Sequence, residues 1–132
     1  MNKHRVYTSY YAKIGKFDPN KYLRIQISKG CPTPNFIDLR FKSLEPSTEL
    51  LSGIKSGLFD EFTYNDRYTK QLNEIGWNTL YNQFSRLIAA TDRDLVLFCY
   101  ESPEKFCHRH ILANWFNQYP PCDLIIKEYE DL

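Results

Sequence analysis

Apolar positions along the chain follow two different periods. Residues 6–11 and 22–28 read as strands, the second because Leu23, Ile25 and Ile27 alternate with Arg24 and Gln26 before the turn Lys29-Gly30-Cys31-Pro32. Residues 36–41 make a weaker third strand candidate. From Pro46 the period changes to that of helices. Ser47 is the expected cap of a short helix with Leu50, Leu51 and Ile54 inward and Gly57 at its end, and residues 68–75 are expected to form a second helix. Asn78 is the expected cap of a third, reaching about Ala90, in which Leu80, Tyr81, Phe84, Leu87 and Ile88 repeat near 3.6 residues.

The run Leu95-Val96-Leu97-Phe98-Cys99, within residues 94–100, does not alternate at all. An unbroken apolar strand of this kind is covered on both faces, so it is expected at the centre of a parallel sheet. Residues 105–118 then carry Ile111, Leu112, Trp115 and Phe116 at helical spacing until Pro120-Pro121 stops them, and residues 124–129 return as a last strand. Strands alternating with helices predict right-handed βαβ units and one α/β domain over residues 1–132. It is expected to be three-layered and Rossmann-like, with a mainly parallel sheet and helices on both faces.

Length and composition narrow the class without changing this picture. The chain of 132 residues is 42% hydrophobic and 25% charged, which suits one folded core and excludes a mainly disordered, collagen-like or coiled-coil chain. No run approaches the roughly 20 apolar residues of a membrane helix. The basic N-terminus leads into tyrosines, not into the apolar stretch of a signal peptide, so a cytoplasmic chain is expected, with Cys31, Cys99, Cys107 and Cys122 as thiols. Aromatic residues reach 16%, enough to suggest either large buried faces or a lined groove. Tyr7, Tyr10 and Tyr11 fit strand packing better than a base-stacking platform. The net charge of +1 conceals nine Lys and Arg against two Asp in residues 1–42, balanced by acidic residues later. Lys13, Lys16, Lys21, Arg24 and Lys29 could therefore form an anion-facing patch, or these surfaces could simply pair or be solvated.

Candidate chemistry gathers where the apolar strand ends. Cys99-Tyr100-Glu101 closes the strand and Cys107-His108-Arg109-His110 opens the next helix. Ligands of open α/β sheets collect beyond the strands' carboxyl ends, where a helix N-terminus offers free N–H groups. Arg109 adds a planar fork for phosphate or carboxylate. No glycine-rich phosphate loop is present, which disfavours an ordinary dinucleotide or nucleoside triphosphate site.

The stretch Phe98-Cys99-Tyr100-Glu101 through Phe106-Cys107-His108-Arg109-His110 resembles the signature of the domain-of-unknown-function-488 family. The likeness extends to residues 6–14, to Ile27-Ser28-Lys29-Gly30-Cys31-Pro32, and to residues 46–51 and 64–72. It implies a small Rossmann-like domain of bacteria, archaea and their phages, and carries over Cys99, Glu101, Cys107, His108 and Arg109, with Ser9 and Lys29 beside them. Lys29 stands where the family pattern has Arg, which keeps the charge and loses the fork.

Each residue has more than one reading. Cys99 fits a buried core position, whereas Cys107, in a helix's first turn near Arg109, could be a reactive thiol, though not in the Cys-x5-Arg spacing of a phosphatase loop. His108 could bond a carbonyl or act as acid/base, and Glu101 could do the latter or neutralise Arg109. Cys99, Cys107, His108 and His110 supply zinc-binding atoms, but neighbouring helical residues diverge and no Cys-x2-Cys pair exists, so no metal is expected. The expected site is thus a cleft in which Glu101, His108 and Cys107 are the catalytic candidates and Arg109, Ser9, Tyr7 and Lys29 the ligand contacts. Its expected occupant is a phosphorylated ligand, a nucleotide or nucleic-acid end, bound with or without hydrolysis or transfer and with no cofactor. The alternative is a non-catalytic module that binds a protein or sequesters a small molecule.

Overall fold

The structure, a computed structural model, describes residues 5–102, 105–119 and 123–130. Five strands form one parallel sheet in the order β3-β2-β4-β1-β5: β1 (Val6–Tyr10), β2 (Tyr22–Gln26), β3 (Leu39–Arg40), β4 (Asp94–Cys99) and β5 (Ile126–Glu128). The apolar run is central, as its pattern requires. Leu95 to Phe98 are fully buried, with β1 in register from Val6 against Leu95 to Tyr10 against Cys99, and β2 from Tyr22 against Asp94 to Gln26 against Phe98.

Four helices follow the first three strands and the central one: α1 (Thr48–Lys55), α2 (Glu61–Ile75), α3 (Trp77–Thr91) and α4 (His108–Phe116). Ser47 caps α1 by accepting the Leu50 N–H, as expected. The second helix starts seven residues earlier than its apolar pattern suggests, because Asp60 caps it through the Thr63 N–H. Asn78 is not the cap of the third. Gly76 takes that place at φ 88, ending α2 with its N–H on the Leu72 carbonyl while its own carbonyl accepts the Leu80 N–H. The weak third strand shrinks to two residues, since a 3-10 turn occupies Pro34–Phe36. The Pro120-Pro121 stop and Cys122 lie outside the described residues. Cys31, Cys99 and Cys107 are free thiols.

The α/β class and the parallel sheet are as expected, but the layers are unequal. Leu23, Ile25, Ile27, Leu95, Leu97 and Cys99 join one core with the buried faces of all four α-helices. On the other face Val96 and Phe98 join a smaller cluster made by the 3-10 segment Tyr11–Lys16, a group of rings that includes Tyr7, Phe17, Tyr22 and Tyr129, and the side chains of Cys31 and Ile37. The topology accounts for the asymmetry. The chain crosses the sheet one way from β1 to β2 and the opposite way from β3 to β4 and from β4 to β5. Right-handed crossovers that travel in opposite directions fall on opposite faces, so the long helical connections share one face and the short one is left with the other. Among the described residues, no helix is long and apolar enough to cross a membrane.

Candidate functional site

A pocket of about 460 Å³ opens on the helical face beyond the carboxyl ends of β2 and β4. Its floor comes from two loops: Ser28, Lys29 and Gly30 after β2, and Cys99, Tyr100 and Glu101 at the end of β4. Phe106, Cys107 and His108 lead into α4 and close one side. Pro46, Leu51, Ile54 and Lys55 from α1 and its approach, with Tyr64 of α2, form the opposite wall. The site is therefore at the strand ends, where an α/β sheet is expected to hold its ligand.

The β2 loop is fixed by its own polar groups. Gln26 Nε2 donates to the Ser28 carbonyl at 2.7 Å, and the Ser28 hydroxyl donates to the Gly30 carbonyl at 2.7 Å while accepting from Tyr11 at 2.6 Å. At Gly30 a Cβ would come within 2.7 Å of the Tyr100 hydroxyl, so the absence of a side chain lets the two loops approach. Tyr100 is 52% exposed and stands at the rim.

The centre of the site is a group of three buried residues, Cys99, Cys107 and His108, whose sulfur and ring nitrogen atoms all lie within 4.8 Å of one another. His108 Nε2 lies 2.6 Å from the Ile27 carbonyl oxygen. A carbonyl can only accept, so Nε2 carries the proton and Nδ1 keeps its lone pair; Cys107 Sγ lies 3.8 Å from Nδ1, and Cys99 Sγ lies 3.3 Å from Nε2 and 3.9 Å from Nδ1. The two thiols diverge in acidity. Burial pushes Cys99 far above the ordinary thiol range, and its contact with Cys107 adds to that. The hydrogen bond from Cys99 holds Cys107 well below that range, against its own burial and with help from His108 and the Arg109 backbone N–H.

Helical spacing separates adjacent side chains, yet Cys107 and His108 converge. The reason is that Cys107 is not in the first turn of α4 but is its N-cap, in extended backbone at φ −155 and ψ 145. Its side chain leaves the chain in a direction no helical residue could use, which brings it to His108 and to Cys99. The fourth residue weighed as a metal ligand, His110, faces elsewhere, in a second pocket of about 420 Å³ with Asn65, Thr69 and Trp115, and its Nε2 is buried without a hydrogen-bond partner.

Beyond its backbone N–H beside Cys107, Arg109 does not line the pocket. Wholly buried, it grips Glu128 of β5 through Nε at 3.0 Å and Nη2 at 3.1 Å, and donates from Nη1 to the Glu101 backbone carbonyl at 2.6 Å. All three of its guanidinium nitrogens donate, and its carboxylate partner is Glu128, not Glu101. Thr8 adds a hydroxyl to Glu128 Oε1 at 2.6 Å. Glu101 itself is exposed on the pocket wall. Ser9 and Tyr7 lie on the strand beside β4 but outside the pocket lining: Thr8 and Tyr10 point toward Arg109, so by the two-residue period Tyr7 and Ser9 point to the aromatic face. Tyr7 there meets Tyr129 and Tyr22 edge-on at 5.4 and 6.5 Å. Of the five basic residues that could have formed a patch, only Lys29 lines the pocket, and Arg24 is held by Asp38. Lys55 and Tyr64, which the apolar pattern does not single out, complete the wall, and the Ile27 carbonyl that orients His108 is a backbone atom with no signal in sequence at all.

A model of the family DUF488-N3a, described as the active DUF488-N3 subclade, matches residues 20–120. The chain belongs to the DUF488-N3a family. Neither a curated protein nor a solved structure matches it. In this DUF488-N3a protein the matched region begins just before β2 and ends after α4, so it includes every residue that lines the pocket.

Proposed function

We propose that the pocket beyond β2 and β4 binds a phosphorylated ligand, a nucleotide or a nucleic-acid end. The observation that carries this reading is the make-up of its wall: Leu51, Ile54, Tyr64 and Phe106 offer an apolar and aromatic surface for a planar body, and Lys29 and Lys55 offer charge for its anionic end. The volume of about 460 Å³ suits one nucleotide. The cationic contacts of this reading are the two lysines, since Arg109 is committed to Glu128. The family description, an active subclade, favours a reaction over inert binding. Glu101 is then the carboxylate on the wall available to the bound ligand.

A thermal-shift panel tests the reading, with nucleoside mono-, di- and triphosphates, free nucleosides, and short oligonucleotides with and without a 5′-phosphate. A ligand at about 100 times its dissociation constant stabilises by roughly 2.7 kcal/mol. Phosphorylated members are expected to stabilise and their unphosphorylated counterparts not, with the shift reduced by salt and by Lys29→Ala or Lys55→Ala. A panel with no phosphate-dependent shift overturns the proposal. For turnover, Glu101→Gln is expected to keep binding and lower the rate, and stabilisation without any product would favour a sequestering module.

A further inference from the structure

Cys99 is the last residue of β4, Cys107 caps α4 and His108 begins it, so the three side chains are delivered by two rigid elements and converge at the pocket floor. We propose that Cys99, Cys107 and His108 form a three-ligand site for zinc(II), with the fourth coordination position opening into the pocket. Three observations carry this.

The first is spacing. Zinc at about 2.3 Å from sulfur and about 2.0 Å from nitrogen, in tetrahedral geometry, sets sulfur and nitrogen about 3.5 Å apart. His108 Nδ1 lies 3.8 Å from Cys107 Sγ and 3.9 Å from Cys99 Sγ. Cys107 requires a contraction of a few tenths of an ångström, and Cys99, whose sulfur lies 3.3 Å from Nε2, requires a side-chain rotation toward Nδ1. The second is orientation. A metal-bound imidazole ordinarily donates its other N–H to a carbonyl or carboxylate, and the 2.6 Å bond from Nε2 to the Ile27 carbonyl is that contact, which leaves the Nδ1 lone pair free in a cluster whose sulfur and ring nitrogen atoms all lie within 4.8 Å of one another. Simple core packing of a histidine does not need this arrangement.

The third is access. All three residues line the pocket, so the group is buried without being sealed, and a ligand atom or water can reach the remaining position. Two sulfurs and one imidazole select a thiophilic ion over magnesium or calcium. Two cysteines and a histidine with one open position is a ligand set of catalytic zinc sites, whereas structural sites close all four. On this assignment Cys107 and His108 are ligands, not reacting groups. The site can be tested without nucleotide, so its failure and the failure of the ligand reading are separate results.

The test is titration of the reduced full-length chain with cobalt(II), then zinc(II), followed by absorption spectroscopy and metal analysis. One cobalt per chain is expected, with a thiolate-to-cobalt charge-transfer band and the intense visible bands of four-coordinate cobalt, both abolished by added zinc. Cys107→Ser and His108→Gln are expected to weaken binding by more than about a hundredfold, beyond the loss typical of a group that only orients a ligand. His108→Gln keeps a donor for the Ile27 carbonyl, and circular dichroism confirms that each variant folds. Should Cys99→Ser fail to fold, these two decide the matter. The double variant Cys31→Ser, Cys122→Ser is expected to retain the wild-type spectrum. Absence of the charge-transfer band in the wild type, or its persistence in Cys107→Ser or His108→Gln, overturns the site.

Discussion

The two faces of the sheet are built on different principles. The helical face is a mixed aliphatic and aromatic core roofed by four helices, with Tyr68, Phe84 and Phe116 fully buried in it, and it remains open at one end, where α1, α2 and the start of α4 leave the pocket between them. The opposite face has almost no roof. It is sealed by rings meeting edge to face, with Phe17 at 4.7 Å from Tyr129, 5.2 Å from Tyr22 and 5.3 Å from Phe98, and with Tyr11 stacked at 6.1 Å on Phe98. Large rings cover a sheet with few residues, so one short 3-10 segment suffices where the other face uses four helices. Both faces draw on the aromatic excess of the composition: here the rings close a surface with little backbone above it, and on the other face they pack between helices and line the pocket.

If the faces divide stability from function, variants should divide in the same way. The largest effect is expected from Phe98→Ala, which removes a fully buried ring from the centre of the aromatic face; denaturant unfolding should show a loss of about 4 kcal/mol, with metal and ligand affinity of the folded protein unchanged. Arg109→Ala should cost about 3 kcal/mol by leaving Glu128 without its partner, at the low end for a buried pair because Glu128 keeps partial access to water. Arg109→Lys should recover part of this, since the charge remains and the two-point contact does not. Here the division blurs in an informative way: Arg109 also holds the Glu101 carbonyl, so ligand affinity should fall with stability.

Lys29→Ala and Lys55→Ala are the converse. Unfolding free energies should stay within about 0.5 kcal/mol of wild type, while affinity for a phosphorylated ligand drops roughly tenfold. The smallest effect belongs to the sheet edge, away from both faces. Burial alone would raise the Asp38 carboxyl, but hydrogen bonds from Arg24 outweigh it and hold Asp38 below the ordinary carboxylate range. A lowered folded-state value stabilises above the unfolded value of about 3.9 and is lost as pH falls through the folded one. Asp38→Asn should therefore reduce stability at neutral pH and flatten its acid limb. An unchanged acid limb would show that the pair does not contribute.

Much of this architecture could be read along the chain, because periodicity reports on local environment. The unbroken run at β4, the alternation of β2 and the apolar stripes of α1, α3 and α4 each mark how many sides of an element are covered, and those statements survive. What could not be read depends on partners distant in sequence or on a single backbone angle. Arg109 faced a choice between Glu101, eight residues away, and Glu128, nineteen away; only the position of β5 next to β1 decides it. Ser9 and Tyr7 were on the correct strand but on the wrong face, an error of parity. Cys107 was expected in a helix and is its cap, and that one residue in extended conformation turns a divergent pair of side chains into a convergent cluster.

The strand order also governs when the molecule can assemble. β1 and β2 do not pair; β4 lies between them and supplies the ladder for both. A chain growing from its N-terminus therefore carries β1 with neither neighbour until residue 99 is made, because β5 comes later still. The sheet closes by insertion of its middle strand, a long-range event that must overcome the loop entropy of everything before it, so folding should be slow for a domain of this size. Until that insertion the half-made protein exposes the β1 edge beside a row of tyrosines, and this is the stage at which the chain is most open to pairing with another copy of itself.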